Sequence, residues 1–184
     1  NNKFFYIGNP DYLLIKNCIK EKEKKVIMYI AQTLVEDGRY LEKYYLNFLL
    51  NLKTSLKNYK IYIKLHPRSN KKLYSIFENN PQVTVGYEYI NSDIVIGHYS
   101  SLLKIAKDSG KHLIIIRLKN HKIPLYFTNL VGENVCDNFI DVKKSINFYR
   151  NSKIKYDISD QLNSYLKSTD NSYRIIAKKI SKFI

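Results

Sequence analysis

The sequence predicts an α/β protein, a Rossmann-like doubly wound parallel sheet in a single domain, followed by C-terminal helices. Short apolar runs rich in β-branched residues occur at residues 26–31, 61–65, 83–85, 93–97 and 112–116. They are too short for helices and are typical of buried strands. Amphipathic stretches separate most of these runs, and apolar strands joined by helices favour a parallel sheet covered on both faces.

Three stretches between the runs carry helix signals. In the first, residues 39–57, apolar side chains recur at helical spacing: Leu41, Tyr45, Phe48, Leu49, Leu52 and Leu56. A shorter helix is expected over residues 69–79, with Ser69 as its N-cap. A third begins at Ser100 and Ser101 and ends at Gly110, because glycine adopts the left-handed conformation that stops a helix.

The two ends of the chain give weaker patterns. Before the first run we expect a strand at residues 4–7, a helix at 12–19 and a charged connector at 20–25. Beyond Arg117 the pattern indicates these elements: a short helical or irregular stretch at 124–130, a strand or loop at 134–140, a helix at 141–150 capped by Asp141, and one or two helices over 157–184.

The length and composition fit one globular domain with an appendage. The 184 residues are 45% hydrophobic and contain only 6 Gly and 4 Pro, which excludes disordered and collagen-like chains. No apolar run approaches the ~20 residues of a membrane span, and no signal peptide is expected. The predicted organisation is an N-terminal connector or remnant of a preceding domain at 1–24, the Rossmann-like domain at 25–150 and a C-terminal helical segment at 151–184.

The chain is strongly basic, with 31 Lys and Arg against 16 Asp and Glu and a formal net charge of +15. Such a surface attracts nucleotides, nucleic acid and anionic membranes alike, so the charge does not select a partner. An AT-rich genome also produces a Lys- and Asn-rich surface. Cys18 and Cys136 lie far apart without metal-ligand or disulfide spacing, so we expect ordinary thiols and no metal.

Polar residues follow three of the predicted strands. They are Glu36-Asp37-Gly38, His66-Pro67-Arg68 and His98-Tyr99-Ser100-Ser101. The carboxyl ends of parallel strands meet at one edge of the sheet, so these loops should converge there. Taken singly, each loop also has a plain structural interpretation: an acidic turn, a proline that stops a strand, and a helix N-cap.

Together, the three loops suit transfer from a nucleotide-activated donor. The N–H groups and hydroxyls at the helix start of Ser100 form an anion site. A protonated His66 would hydrogen-bond a leaving phosphate, with Lys64 and Arg68 adding positive charge, and Asp37 would serve as general base. Neither a GxGxxG nor a GxxxxGK[ST] pattern is present, which disfavours dinucleotide oxidoreductases and P-loop enzymes.

The same residues resemble a known family. The run KVIMYIAQTL leading to Glu36-Asp37-Gly38, then KLHP at residues 64–67, then SDIVIGHYSS at residues 92–101, is similar to bacterial sialyltransferases. The likeness is to the lipooligosaccharide sialyltransferases of glycosyltransferase family 52 and the related polysialyltransferases. It covers residues 25–116 and implies the C-terminal nucleotide-binding half of a GT-B enzyme.

The resemblance implies specific roles. Asp37 would be the catalytic base, His66 would contact the donor phosphate and assist its departure, and Ser100 and Ser101 would hold phosphate or the sialic acid carboxylate. The full candidate donor-binding set is His66, Pro67, Arg68, Glu88, His98, Ser100 and Ser101. Arg68 is included for its charge and His98 for its place beside the serine loop. Within it, Glu88 is a candidate for ribose or base contact or else a surface acid. The implied reaction is inverting, metal-independent transfer of sialic acid from CMP-sialic acid to a galactose-type hydroxyl of a lipooligosaccharide or capsular glycan, with no further cofactor.

Two other functions stay open. A His-Pro loop followed by a Ser-Ser loop also resembles the CDP-glycerol glycerophosphotransferases of teichoic acid and capsule synthesis, although Glu36-Asp37-Gly38 favours the sialyl interpretation. The second is a non-catalytic basic module that binds nucleic acid or membrane surfaces. Against this function, the lysines are scattered along the sequence and no RNA- or DNA-binding motif occurs. The expected partners are a nucleotide-sugar donor and a glycan or glycolipid acceptor, and a homodimer is a further candidate. Nucleic acid is not an expected partner. We expect a cytoplasmic protein that associates peripherally with the anionic inner face of the membrane.

Overall fold

The structure, a computed structural model, describes residues 23–152. Six parallel strands form one sheet: β1 (Glu23–Ile30), β2 (Lys60–Lys64), β3 (Val83–Gly86), β4 (Ser92–Gly97), β5 (His112–Ile116) and β6 (Val135–Cys136). Four α-helices accompany them: α1 (Glu42–Ser55), α2 (Ser101–Asp108), α3 (Leu125–Val131) and α4 (Phe139–Asn151). Two 3-10 helices complete the described elements, at Lys71–Phe77 and Gly132–Asn134.

The central strands are the apolar runs of the sequence. Every residue of β4 and of β5 is buried. In β1, Ile27 aligns with Ile61 of β2 on one side and with Ile94 of β4 on the other. Strands buried on both faces read as near-continuous apolar sequence, which is why the sequence pattern located them.

Alternate side chains of β1 supply two separate cores. Ile27 and Tyr29 point to one face, where the buried positions of α1 and α4 pack, including Leu49 and Ile146. Met28 points to the other face, which α2 covers with buried residues such as Leu103. No helix joins β3 to β4 in the described chain; residues 87–91 cross this second face instead, with Tyr89 buried in it. The predicted Rossmann-like α/β fold is therefore confirmed.

Several local predictions need correction. The stretch predicted to be a helix at 69–79 is a 3-10 helix capped by Asn70, because the Asn70 side chain accepts from the Lys72 N–H. Asn138, not Asp141, caps α4 and accepts hydrogen bonds from the backbone N–H groups of Ile140 and Asp141. The connector predicted at 20–25 is in part strand, since β1 begins at Glu23.

The strand order places a crevice at one edge of the sheet. The order is β3-β2-β1-β4-β5-β6, so the chain winds outward from β1 in both directions. At such a switch point, the loops after the two neighbouring strands diverge to opposite faces and leave a ligand crevice at the carboxyl ends. The loops after β1 and β4 carry the Glu36-Asp37-Gly38 and Ser100-Ser101 motifs.

Some predictions fall outside the described residues. These are the strand at 4–7, the helix at 12–19, the helices over 157–184, the terminal parts of the predicted segments 1–24 and 151–184, and Cys18. Among the helices of residues 23–152, none has the length and apolar character needed to cross a membrane.

Candidate active site

A cleft of about 500 Å³ lies at the switch point of the sheet. Its walls come from the loops that follow β1, β2 and β4. Among its lining residues are six of the predicted site residues: Asp37, His66, Pro67, Arg68, Ser100 and Ser101. The structure therefore brings together all three motifs that are far apart in sequence.

The first wall is a compact turn after β1. The Asp37 N–H donates to the Thr33 carbonyl at 2.9 Å, and the Thr33 hydroxyl donates to Asp37 Oδ2 at 2.9 Å. Gly38 follows with φ +66°, a left-handed value that a glycine accepts without strain. Glu36 points elsewhere, because its carboxylate accepts the Asn70 N–H at 2.7 Å and ties this turn to the β2 loop. Of the two acids in the motif, only Asp37 lines the cleft.

Asp37 is held in its ionised form. The Thr33 hydrogen bond, together with the charges of Arg68 and Arg39, lowers the pKa of this carboxyl. Arg68 Nη1 lies 3.3 Å from Asp37 Oδ1, with 68% of the Arg68 side chain and 22% of the Asp37 side chain exposed. An ionised carboxylate is the form that accepts a proton. Its arginine partner is largely exposed, where an ion pair contributes little, so Arg68 is available to pair with another anion.

The second wall is the turn His66-Pro67-Arg68-Ser69. The Arg68 N–H donates to His66 Nδ1 at 3.1 Å, so in the neutral ring the proton lies on Nε2. The Ser69 N–H donates to the His66 carbonyl, and the Ser69 hydroxyl accepts the His66 N–H at 3.1 Å. Ser69 thus closes this turn instead of capping a helix. The turn leaves Nε2 of His66 as the ring atom free to donate to an anion.

The third wall is the start of α2. Ser100 is the N-cap of this helix, and its hydroxyl accepts the Leu102 N–H. Gly97 lets the helix lie close to the end of β4, since a Cβ there would stand 2.6 Å from Leu103 Cδ2. Ser101, in the first turn, is exposed at the cleft. Helix starts attract anions through their N–H groups and the helix dipole.

A pair of hydrogen bonds that no sequence motif predicted joins two of the walls, the loops after β1 and β4. Gln32 donates through Nε2 to the Tyr99 carbonyl at 2.7 Å and accepts the Tyr99 N–H at 2.9 Å. The Tyr99 side chain stacks on His121 and shares a 3.0 Å hydrogen bond with His121 Nε2. The interaction with Tyr99 raises the pKa of Arg39. The sequence signal that pointed to Gln32 was its position in the loop that follows β1.

Lys64 and Glu88 sit differently from each other. Lys64 lines the cleft but is buried, and this burial lowers the pKa of its amine, while the charge of Glu88 opposes the shift. Glu88 is exposed and accepts a hydrogen bond from the Tyr62 hydroxyl at 3.0 Å. The residues that line the cleft do not include Glu88. Its predicted contact with the donor is therefore not placed in the cleft by this structure.

The prediction that His98 contacts a donor needs correction. His98 is fully buried behind the serine loop. Its Nδ1 lies 2.7 Å from the Ile116 carbonyl and its Nε2 lies 2.8 Å from the Tyr29 hydroxyl, so both ring nitrogens are engaged inside the core. Burial lowers the pKa of His98 to about 4. The ring is a neutral core residue that supports the loop carrying Ser100.

No cluster of three or more His, Cys, Asp or Glu side chains suited to a metal ion occurs within residues 23–152. Cys136 is buried, and this burial raises the pKa of its thiol to about 11.

Comparison with known proteins identifies the fold. No protein-family model and no curated protein sequence matches the chain. Among solved structures, UDP-GlcNAc 2-epimerase from Methanocaldococcus jannaschii with UDP-GlcNAc and UDP is similar at 15% identity and a TM-score of 0.56, over 95% of this chain and 54% of that one. A second structure of that epimerase aligns at 14% identity and a TM-score of 0.52, over 95% and 55%. The wall teichoic acid polymerase TagF aligns at 16% identity and a TM-score of 0.42, over 96% and 52%.

The chain spans about half the length of the structures that it matches. At identities this low the likeness concerns the fold alone. The parallel sheet, its strand order and the two epimerase alignments together show a Rossmann-like α/β fold.

Proposed function

We propose that this chain is the donor-binding domain of a glycosyltransferase that uses CMP-sialic acid. The observation that carries the proposal is the single cleft in which Asp37, His66 and the Ser100-Ser101 helix start converge. This combination offers a base, an N–H donor and an anion site within one crevice. The resemblance of the three motifs to bacterial sialyltransferases supplies the identity of the donor.

In the proposed reaction, the acceptor hydroxyl attacks the anomeric carbon of the sialic acid. The hydroxyl proton passes to the Asp37 carboxylate as the new C–O bond forms on the face opposite to the leaving group. The bond between the anomeric carbon and the phosphate oxygen breaks, and CMP leaves with the electron pair. Nε2–H of His66 and the start of α2 offset the charge that develops on the phosphate.

Arg68 lies between the proposed base, Asp37, and the proposed phosphate site at the His66 turn. Its guanidinium lies between Asp37 and solvent, with Nη1 and Nη2 at 3.3 and 3.4 Å from Asp37 Oδ1 and Thr33 Oγ1. A donor phosphate at the His66 turn offers the guanidinium a second anion. Movement of Arg68 towards that phosphate would uncover the carboxylate for the acceptor.

Calorimetric titration with CMP tests the proposal. Wild-type protein should bind CMP, His66→Ala should abolish measurable binding, and His66→Asn, which keeps an N–H donor, should recover part of it. Lys60→Ala is the matched control, because it removes an exposed positive charge at the opposite end of β2. Equal loss in His66→Ala and Lys60→Ala would mean that only overall charge attracts the nucleotide.

CDP-glycerol is the competing donor, since it carries the same CMP moiety. Supplying CMP-sialic acid and CDP-glycerol separately and following release of CMP distinguishes the two. Turnover of CDP-glycerol alone would replace the sialyl proposal with a glycerophosphotransferase. The acceptor in either case would be a glycan or glycolipid, which a further domain would help to bind.

A further inference from the structure

A continuous chain of buried hydrogen bonds runs beneath the candidate active site. Tyr74, Tyr45 and Tyr29 are joined through their hydroxyls, at 3.3 Å between the first two and 3.0 Å between the last two. The Tyr29 hydroxyl continues to His98 Nε2 at 2.8 Å. At the other end Tyr74 lies in the 3-10 helix Lys71–Phe77, which directly follows the turn that carries His66. The chain of hydrogen bonds thus begins in the helix that follows the His66 turn and ends in the loop that carries Ser100.

The direction of every bond in this chain is fixed from one end. The Ile116 carbonyl only accepts, so His98 Nδ1 donates to it at 2.7 Å. Nε2 of the neutral ring then accepts, and the Tyr29 hydroxyl donates to it. The Tyr29 hydroxyl in turn accepts from the Tyr45 hydroxyl, and the Tyr45 hydroxyl accepts from the Tyr74 hydroxyl. One orientation of the imidazole therefore sets the orientation of three hydroxyls.

These hydroxyls occupy sites where an apolar core has no need of them. Tyr29 and Tyr45 are completely buried within the core formed by β1, α1 and their neighbours. A buried hydroxyl without a partner is destabilising, whereas phenylalanine fills the same space at no such cost. Phe48 shows that this core accepts phenylalanine, because its ring packs against both Tyr29 and Tyr45. Packing alone therefore does not account for the hydroxyls.

We propose that Tyr29, Tyr45 and His98 are positioning residues that fix the separation of the His66 turn and the Ser100 loop, and thereby set the affinity for the donor nucleotide. This inference rests on the proposed function. None of the three side chains lines the cleft, so they act through the 3-10 helix that follows the His66 turn at one end and through the backbone of His98 at the other. Loss of any one of these hydrogen bonds would let the two loops move relative to each other.

The test removes one hydroxyl at a time and measures CMP affinity together with amide NMR spectra. Tyr45→Phe should weaken CMP binding about 3- to 10-fold, the factor that corresponds to one buried hydrogen bond. Tyr29→Phe should have a similar effect. The double variant should lose less than the product of the two single losses, because either substitution already breaks the chain. Tyr59→Phe is the control, as its ring packs against the same core without joining the chain.

Amide shifts give a second measure that thermal stability does not mimic. In Tyr45→Phe, signals of Ser69 and of Ser100 should both move, although the two residues lie in different loops. Unchanged CMP affinity with a lower melting temperature would mean that these hydrogen bonds only stabilise the fold, and would overturn the inference. Should Tyr45→Phe fail to fold, Tyr74→Phe breaks the chain nearer to the surface and is judged in the same way.

If wild-type protein does not bind CMP, the proposed function fails and the amide shifts decide the inference. Coupled shifts in both loops would show that the chain still positions them relative to each other. Shifts confined to the surroundings of the substituted tyrosine would overturn it.

Discussion

Mild acid should weaken this fold through His98. The ring is completely buried and neutral, and burial lowers its pKa from 6.5 to about 4. In the unfolded chain the same imidazole takes up a proton near pH 6.5. Between these two values the unfolded state binds more protons than the folded state, so the free energy of unfolding decreases as the pH falls from 6.5 towards 4.

The size of the effect follows from the two pKa values. From pH 7.5 to pH 5, His98 alone should lower the free energy of unfolding by about 2 kcal/mol. Burial also lowers the pKa of His112 to about 4, which adds a decrease of similar size over the same range. The pKa of Asp37 and that of Glu88 are both lowered, so these carboxylates lose their contribution only at still lower pH.

Urea unfolding at pH 7.5, 6.5, 5.5 and 5.0 measures this decrease, and NMR of the histidine Cε1–H groups assigns it. The His98 signal should not titrate above pH 5 in the folded protein. A His98 signal that titrates near pH 6.5, or a free energy of unfolding that is flat between pH 7.5 and 5, would refute the buried neutral ring and the direction assigned to the hydrogen-bond chain.

Two further predictions concern the cleft and its frame. Asp37→Asn keeps the size of the side chain but removes the base, so CMP affinity should stay within about 3-fold while sialyl transfer falls by about 10²- to 10⁴-fold; retention of most transfer activity would remove Asp37 from the mechanism. Gly97→Ala places a methyl group 2.6 Å from Leu103 Cδ2, and should lower the free energy of unfolding in urea by about 1–3 kcal/mol. Adding Leu103→Ala should cost less in Gly97→Ala than in the wild-type protein, and strict additivity would argue against this contact.

The sequence located the strands because burial on both faces leaves an unmistakable apolar pattern. Residues 93–97 and 112–116 were predicted to be strands, and both lie wholly buried in β4 and β5. The order of the strands required the structure. Local patterns do not tell whether the chain leaves β3 for its outer side or crosses back past β1, and residues 87–91 make that crossing without a helix.

The misplaced helix caps arose from choices between neighbouring polar residues. Ser69 and Asn70 both fit an N-cap, and the structure uses the Asn70 side chain for the cap and the Ser69 hydroxyl for the turn. Asn138 and Asp141 form a reciprocal pair, since Asn138 Nδ2 donates to Asp141 Oδ2 at 2.8 Å. Their three-residue spacing before an amphipathic run is the signal that identifies Asn138 as the cap.

The candidate active site was predictable where residues lie in the loops that follow strands, as with Asp37, His66 and Ser100. His98 follows a strand too, but its side chain turns inward to the Ile116 carbonyl. The direction of a side chain at a strand end depends on which partner the core offers, and the tyrosines that complete this partnership lie on three separate elements. Such a long-range polar network leaves no local pattern in the sequence.

Titration of isotope-labelled wild-type protein with CMP, followed by amide NMR, tests the central claim most directly. The account predicts saturable binding with the largest shifts in the loops after β1, β2 and β4, at residues 32–39, 66–69 and 99–102. Absence of binding, or shifts centred on the ends of β5 and β6 instead, would contradict the assignment of this cleft as the donor site.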